Sequence, residues 1–323
     1  MASGDKRVNY SWRFFWFALA IVAAGCLYTA GWFYAADRLV ERVDASVAVL
    51  NGGGRRANCE DTTARGFPFR IGVFCRSVMF MDAGGGFSFR AREFRSAAQV
   101  YQPNHVIGEL DGPAALEAPG LSALELDWES MRASMRLASP LPDRLSVVGT
   151  KVAVRLDQAG DLSPPLGHAE TAELHMRPAG EGIDVAARFS GLTLDANLVG
   201  TNAVPPLSGL ADIFVQGRGP GLRGKSGTLR TVAVSLDEET GATVAGPFSV
   251  DADGLIDAQL KITLRNPEAL GAILIELMPE ARDEIELGLS ALSAMGEAPT
   301  LPLRIEQSEM SLGFLSLGSI PPL

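Results

Sequence analysis

The sequence predicts a mainly β protein of the α+β kind, hung from one N-terminal transmembrane helix. Three observations carry that expectation. Residues 12–36 form an apolar run broken only by Arg13, and at about 1.5 Å per residue such a helix crosses a hydrocarbon core of about 30 Å. Apolar and polar residues then alternate over much of Ala57 to Leu264, the two-residue period of antiparallel strands with one buried face. Thirty-five glycines and nineteen prolines supply turns throughout. The class is therefore a large, twisted antiparallel sheet behind a membrane helix, with two helices in the C-terminal region covering part of one face.

Composition sets the outer limits. Of 323 residues 47% are apolar and 20% charged, which suits a packed core and not a disordered chain. A net charge of −10 argues against a nucleic-acid partner and against broad docking on anionic lipid.

Residues 1–11 make a short polar tail with Lys6 and Arg7. Trp12, Trp16, Trp32 and Tyr34 lie toward the two ends of the 12–36 span, where amphipathic rings favour the lipid–water boundary. A short basic tail before one anchor, with a long domain after it, predicts a cytoplasmic N-terminus and a translocated domain. A cleaved signal peptide is the rival, but its apolar region runs to about 7–15 residues, shorter than this one. A lipoprotein signal is a third option. Ala23-Ala24-Gly25-Cys26 resembles a lipobox ending, yet the Leu usual three positions before the Cys is missing and the chain stays apolar after Cys26.

Beyond the span, Leu39, Val40, Val43, Val47 and Leu50 recur at helical spacing. A helical extension over 37–52 follows, stopped by Gly52-Gly53-Gly54. Residues 53–323 then form the β-rich domain. Its clearest strand is Ala258–Leu264, and Ile183–Phe189, Val232–Leu236, Leu145–Leu156 and Phe87–Ala91 alternate in the same way. Turns are marked at Gly84-Gly85-Gly86, Asp111-Gly112-Pro113, Gly180-Glu181-Gly182 and Asp253-Gly254. Near 267–295 the period changes. Asn266 is a good N-cap and Pro267 a good first helical residue. Leu270, Ile273, Leu274 and Leu277 form an apolar stripe, charged residues from Glu280 to Glu286 interrupt, and a second run spans Ile285–Met295 before Gly296. Residues 301–314 read as extended again.

The motifs that carry chemistry are few. Gly219-Pro220-Gly221-Leu222-Arg223-Gly224-Lys225-Ser226 matches a phosphate loop by letter. The chemistry needs a helix opening at the Lys-Ser, and the alternating residues from Gly227 to Val232 predict a strand instead. His105, His168 and His175 share no helical face and no metal spacing with the cysteines. No G-x-S-x-G elbow exists, since Gly120-Leu121-Ser122 lacks the second glycine. No catalytic, cofactor-binding or metal-ligating residues are expected. Cys59 and Cys75, left over once Cys26 is assigned to the span, read as one disulfide in a translocated domain, with two buried thiols as the alternative. In Gly66-Phe67-Pro68-Phe69-Arg70 two phenylalanines bracket a sharp turn. It reads either as the lip of an apolar groove or as a turn pinned to the core by its aromatics.

The stretches GFPFRIGVFC from Gly66, AAQVYQPNHVIGELDGPAAL from Ala97, RNPEAL from Arg265 and GFLSLGSIPPL from Gly313 carry a resemblance. In this order they resemble an uncharacterised bacterial envelope family, the domain of unknown function twenty-one twenty-five, over most of the chain past residue 37. A looser likeness is to AsmA-like envelope proteins, which share an N-terminal anchor and long β-sheets. The resemblance implies a bacterial inner membrane, held through residues 12–36, with the domain in the periplasm, and it offers no catalytic residues. The functional expectation is a non-catalytic binding or scaffolding protein of the envelope that handles lipid. A partner that docks another envelope protein through a sheet edge is the alternative, and a hydrolase with a hidden site the third.

Overall fold

The computed structural model describes residues 10–119, 121–138, 142–157, 166–195, 204–217, 221–277, 279–293, 296, 298–313 and 315–322. It opens with one continuous helix, α1 (Tyr10–Leu50), about 60 Å long at 1.5 Å per residue. The apolar run and the expected extension are thus a single rod. It ends just before the glycines, where Gly53 and Gly54 take positive φ. Among the described residues this is the one helix long and apolar enough to cross a membrane.

Twenty strands follow among the described residues. The first ten are short: β1 (Arg55–Glu60), β2 (Thr63–Arg65), β3 (Arg70–Cys75), β4 (Ser77–Asp82), β5 (Phe87–Ala91), β6 (Phe94–Gln99), β7 (Gln102–Leu110), β8 (Ala114–Glu117), β9 (Leu124–Asp127) and β10 (Ser130–Arg136). Longer ones succeed them: β11 (Arg144–Leu156), β12 (Gly167–Ala179), β13 (Gly182–Leu194), β14 (Leu207–Gln216), β15 (Lys225–Ser235), β16 (Gly241–Val250) and β17 (Ile256–Arg265). Helices α2 (Pro267–Leu277) and α3 (Arg282–Ser293) come next, then β18 (Thr300–Glu306), β19 (Glu309–Leu312) and β20 (Leu315–Ser319).

From β11 to β20 each strand pairs antiparallel with the next, a single meander. At β11 the sheet forks. Its first half, Arg144–Thr150, pairs with β10, and its last residues, Ala153–Leu156, pair with β9. One branch then runs β10–β7–β6–β3–β2 and the other β9–β8–β5–β4–β1. Lys151 sits at the fork with φ 47°, a left-handed conformation that breaks the ladder there. Near their outer ends the two branches are tied by the Cys59–Cys75 disulfide, Cα–Cα 5.2 Å, between β1 and β3, the strand next to β2. Register shifts in β13, β14 and β15 bend the middle of the meander.

The helix pair stands between two neighbouring strands, β17 and β18. Asn266 caps α2 as expected, its Oδ1 accepting from the Ala269 N–H at 3.3 Å. The helices pack on each other through Gly271, where a Cβ would meet Leu289 at 2.2 Å. One expectation is corrected here. The charged segment Glu280–Glu286 does not separate the helices, because α3 already starts at Arg282. An Arg282–Glu286 ion pair one turn apart supports that start. Met295 and Phe314 lie outside the described residues, and β20 is a strand that alternation alone did not mark.

Lys225 and Ser226 open β15 and not a helix, so no helix N-terminus is there to hold phosphate. Arg218, Gly219 and Pro220 lie outside the described residues. A small apolar core gathers at the C-terminal end of the sheet, around Ala258, Leu260 and Ile305 with Phe248, Leu303 and Met310.

The opposite face is polar. Arg230 donates to Asp184 at 2.6 Å and to Asp212 at 2.8 Å, and Arg177 donates to Asp184 at 3.1 Å. The Arg230 guanidinium foremost, and Arg177 after it, holds the Asp184 carboxyl below its ordinary value. A lowered folded-state value contributes stability above the unfolded pKa of about 3.9 and loses it as pH falls through the folded one.

Candidate functional site

The chain meets itself again at the middle of α1. Tyr28 donates its hydroxyl to the Pro68 carbonyl, and the Trp32 indole N–H donates to the Arg70 carbonyl at 2.9 Å. Phe67 stacks on Phe33 with ring centres 5.9 Å apart and meets Trp32 edge-on at 5.4 Å. Trp32 is only 6% exposed. The Gly66–Arg70 turn is therefore held through Phe67, one of its two phenylalanines. It is pinned to α1, however, and not to a core within the sheet. Gly66 is required there: its φ is 122° and a Cβ would meet the Arg70 carbonyl oxygen at 2.8 Å. Phe69, on the other side of the proline, is 70% exposed. Its carbonyl accepts the Val100 N–H at 3.1 Å, which brings the exposed Tyr101 beside it.

Past this contact α1 lies against β1, β2 and β3, the outer strands of the two branches. Trp32, Ala36, Leu39, Val43 and Val47 follow helical spacing toward the strands, while Asp37, Arg38 and Glu41 stay exposed. Between helix and sheet runs a cavity of about 1350 Å³, reaching from Tyr28 and Gly31 at one end to Val47 at the other. Its sheet wall is apolar, with Ile71, Val73, Ala98, Val106, Ala133 and Met135 from the β3–β6–β7–β10 branch. Both disulfide cysteines line it; the Gly66–Arg70 turn does not, but its Phe67 packs on Trp32, which does. Arg38 and Arg42 line it on the helix side. Arg38 bonds Glu41 at 2.6 Å, and Arg42 enters no ion pair among the described residues.

The cavity wall is the beginning of something longer. Ile71, Ala98, Val106 and Met135 are successive cross-strand partners. The row continues past the fork through Leu145, Met176, Val185, Ile213 and Leu229. A second row on the same face starts at Ala133 and passes through Val147, Leu174, Ala187 and Ala211. It goes on through Val232, Val244, Ile262 and Leu301. Directly opposed residues share a face, so every position in both rows is apolar on one side of the sheet. Strands about 4.8 Å apart make each row about 38 Å long. The face is not closed over. Leu174 is 43% exposed and Val234, beside this second row on β15, 41%.

A sequence profile of an uncharacterised protein family conserved in bacteria, DUF2125, matches residues 32–321. The chain belongs to DUF2125. Among curated proteins nothing matches it. The DUF2125 match begins at Trp32, the first helix residue buried against the sheet domain, so it takes in the docking face of α1.

The histidines of this DUF2125 chain lie on the strands, each bonded to a hydroxyl. His105 bonds Ser134 at 3.0 Å and His168 bonds Thr193 at 2.8 Å. His175 is held between Ser146 at 2.7 Å and Glu173 at 3.1 Å, the order of a Ser-His-carboxylate triad. The surroundings are wrong for acyl transfer. Ser146 sits mid-strand between β10 and β12, where backbone N–H groups are engaged in the ladder and cannot stabilise an oxyanion. The trio also stands outside the cavity beside α1. Ser122, already rejected as an elbow for lack of the second glycine, precedes β9, and Gly120 lies outside the described residues. Among the described residues no group of three His, Cys, Asp or Glu could hold a metal ion.

Sequence reasoning missed the two rows and the docking role of Tyr28, Trp32 and Phe33. The alternation of each strand was visible. Which strands stand side by side was not.

Proposed function

We propose that this chain is a membrane-anchored, non-catalytic lipid-binding protein of the bacterial envelope, holding acyl chains along the apolar face from the β3 branch to β18. The observation that carries the reading is the pair of in-register apolar rows, left partly exposed. Apolar patches beyond a few hundred Å² are uncommon on soluble surfaces and mark interaction sites. The opposite face is laced with ion pairs, so the sheet offers acyl chains one side and water the other.

The anchor fits the same account. Trp12 to Leu27 stand exposed, as a helix in lipid requires; contact with the domain starts at Tyr28, so the last turns of the 12–36 span expected from the sequence carry the domain on one side. Tyr28, Trp32, Phe33, Phe67, Phe69 and Tyr101 then form one aromatic belt at the lipid–water boundary. A disulfide in the domain favours an oxidising compartment, so the domain faces the periplasm and the N-terminus the cytoplasm. A reporter active only in the periplasm is expected to work when fused to the C-terminus and to fail at the N-terminus; the reverse pattern would overturn the orientation.

The lipid reading is tested in cells with a benzophenone side chain placed at Leu174. Phospholipid adducts, identified by mass spectrometry, are the expected result. Adducts to protein alone would instead support the second reading, docking of another envelope protein. What favours that reading is β20, an edge strand exposed along its whole length with Leu315 and Leu317 facing solvent.

A further inference from the structure

We propose that the cavity beside α1 is the loading site of the apolar lane formed by the two rows, taking a two-chain phospholipid from the leaflet that surrounds the outer end of the anchor. This rests on the lipid reading above and adds where the lipid comes from and how it is held.

Position is the first argument. One wall of the cavity is α1 itself, and its lower end is formed by Tyr28 and Gly31, directly continuous with the exposed apolar run. Lipid packed around that run already lies at the opening. The surface there is apolar and presented outward: Leu137 of the lining is exposed, and so are Phe69 and Tyr101, which adjoin the lining residue Val100. On a water-facing surface such side chains would be unfavourable, and at the boundary of a bilayer they are at home.

Continuity is the second. Ala133 and Met135 belong both to the cavity wall and to the two rows, with Val147 and Leu145 their partners on β11. A chain that enters the cavity is already on the lane.

Dimensions and charge are the third. The volume, about 1350 Å³, exceeds the roughly 300–1,000 Å³ of sites for small molecules. From Tyr28 the helix rises about 15 Å to Arg38 and about 21 Å to Arg42. The acyl chains of one leaflet span about 15 Å, half the hydrocarbon core. A phospholipid raised with its tails still at Tyr28 therefore brings its phosphate level with the two guanidinium groups. Arg42, without an ion pair among the described residues, suits a phosphate oxygen. Arg38 is bonded to Glu41, which also lines the cavity, so Arg42 is the cation left for an anionic headgroup.

The test uses the full-length chain in vesicles of phosphatidylethanolamine and phosphatidylglycerol, with benzophenone at Leu174 in the lane or at Phe69 on the rim. A Cβ on Gly31 meets nothing within 4 Å, so Gly31→Trp fills the opening without displacing the fold. It is expected to cut lipid adducts at Leu174 at least fivefold and to leave those at Phe69 unchanged. Ala35→Trp, one turn on and exposed, repeats the block should Gly31→Trp disturb the helix. Arg42→Glu is expected to cut adducts with a photoreactive phospholipid and not with a photoreactive diacylglycerol, which lacks the phosphate. Undiminished adducts at Leu174 in both tryptophan variants would show that lipid reaches the lane elsewhere and would overturn the loading site alone. No adducts at Leu174 in the unaltered chain would remove the lipid reading itself, and the loading site with it.

Discussion

Leu174→Glu is expected to reduce lipid binding at least tenfold while the domain stays folded. Leu174 is the third position of the second row, between Val147 on β11 and Ala187 on β13. A bound acyl chain crossing that point would strip water from the new carboxylate. Leaving a polar group without its hydrogen bonds costs about 1–3 kcal/mol by mutational measures, and an ionised one costs more. Since about 1.4 kcal/mol is a factor of ten, the loss is easily read. Without lipid the same carboxylate reaches water, because the position is 43% exposed, and the fold loses little. Ile262→Asp is the useful contrast. It lies in the same row, but on β17 beside Leu260, which is 8% exposed and part of the packed core. That variant is expected to lose both lipid binding and thermal stability. If Leu174→Glu unfolds the domain, the face is a closed core and no lane exists. If it folds and binds lipid as before, the rows carry nothing.

The difference between these two positions also shows what could be read in the sequence. Alternation in Ala258–Leu264 gives the inward face of one strand, and the same holds for Ile183–Phe189. The helix boundary at the glycine triplet, the Asn266-Pro267 start and the turn at Gly180-Glu181 follow from local chemistry, and all three stand in the structure. Register is a different kind of information. It depends on pairing between segments far apart, such as β3 with β6 or β9 with the end of β11, and a period of two says nothing about which partner lies alongside. The fork at Lys151 was invisible for the same reason: a positive φ at a lysine is imposed by two competing ladders and not by the residue. Trp32 and Tyr34 were legible as aromatics near one end of the apolar run. That Trp32 also donates to the Arg70 carbonyl is a tertiary fact, and it joins an isolated proline turn to α1.

Replacing Cys59 and Cys75 with Ser is expected to lower stability by about 3 kcal/mol, the chain-entropy value for a loop of this length, here a separation of 16 residues. The location argues that the loss falls unevenly. β1 pairs only with β4, and β3 pairs with β2 and β6, so the two cysteine strands are not neighbours in the ladder. The bond is the covalent tie near the ends of the two branches, and both sulfur-bearing residues stand in the cavity wall. Once it is absent, β1 is an edge strand held by one partner and by its contact with α1, whereas the meander from β12 onward keeps all its pairings. Hydrogen exchange should therefore quicken first in β1 and β2, and later, if at all, in β13 to β16. A thiol reagent applied to the unfolded, non-reduced chain should mark Cys26 alone, since Cys26 is the free cysteine and is exposed on α1. Labelling at all three positions would show that the pair is not joined, and a uniform rise in exchange across the sheet would show that the bond supports the whole fold and not the fork.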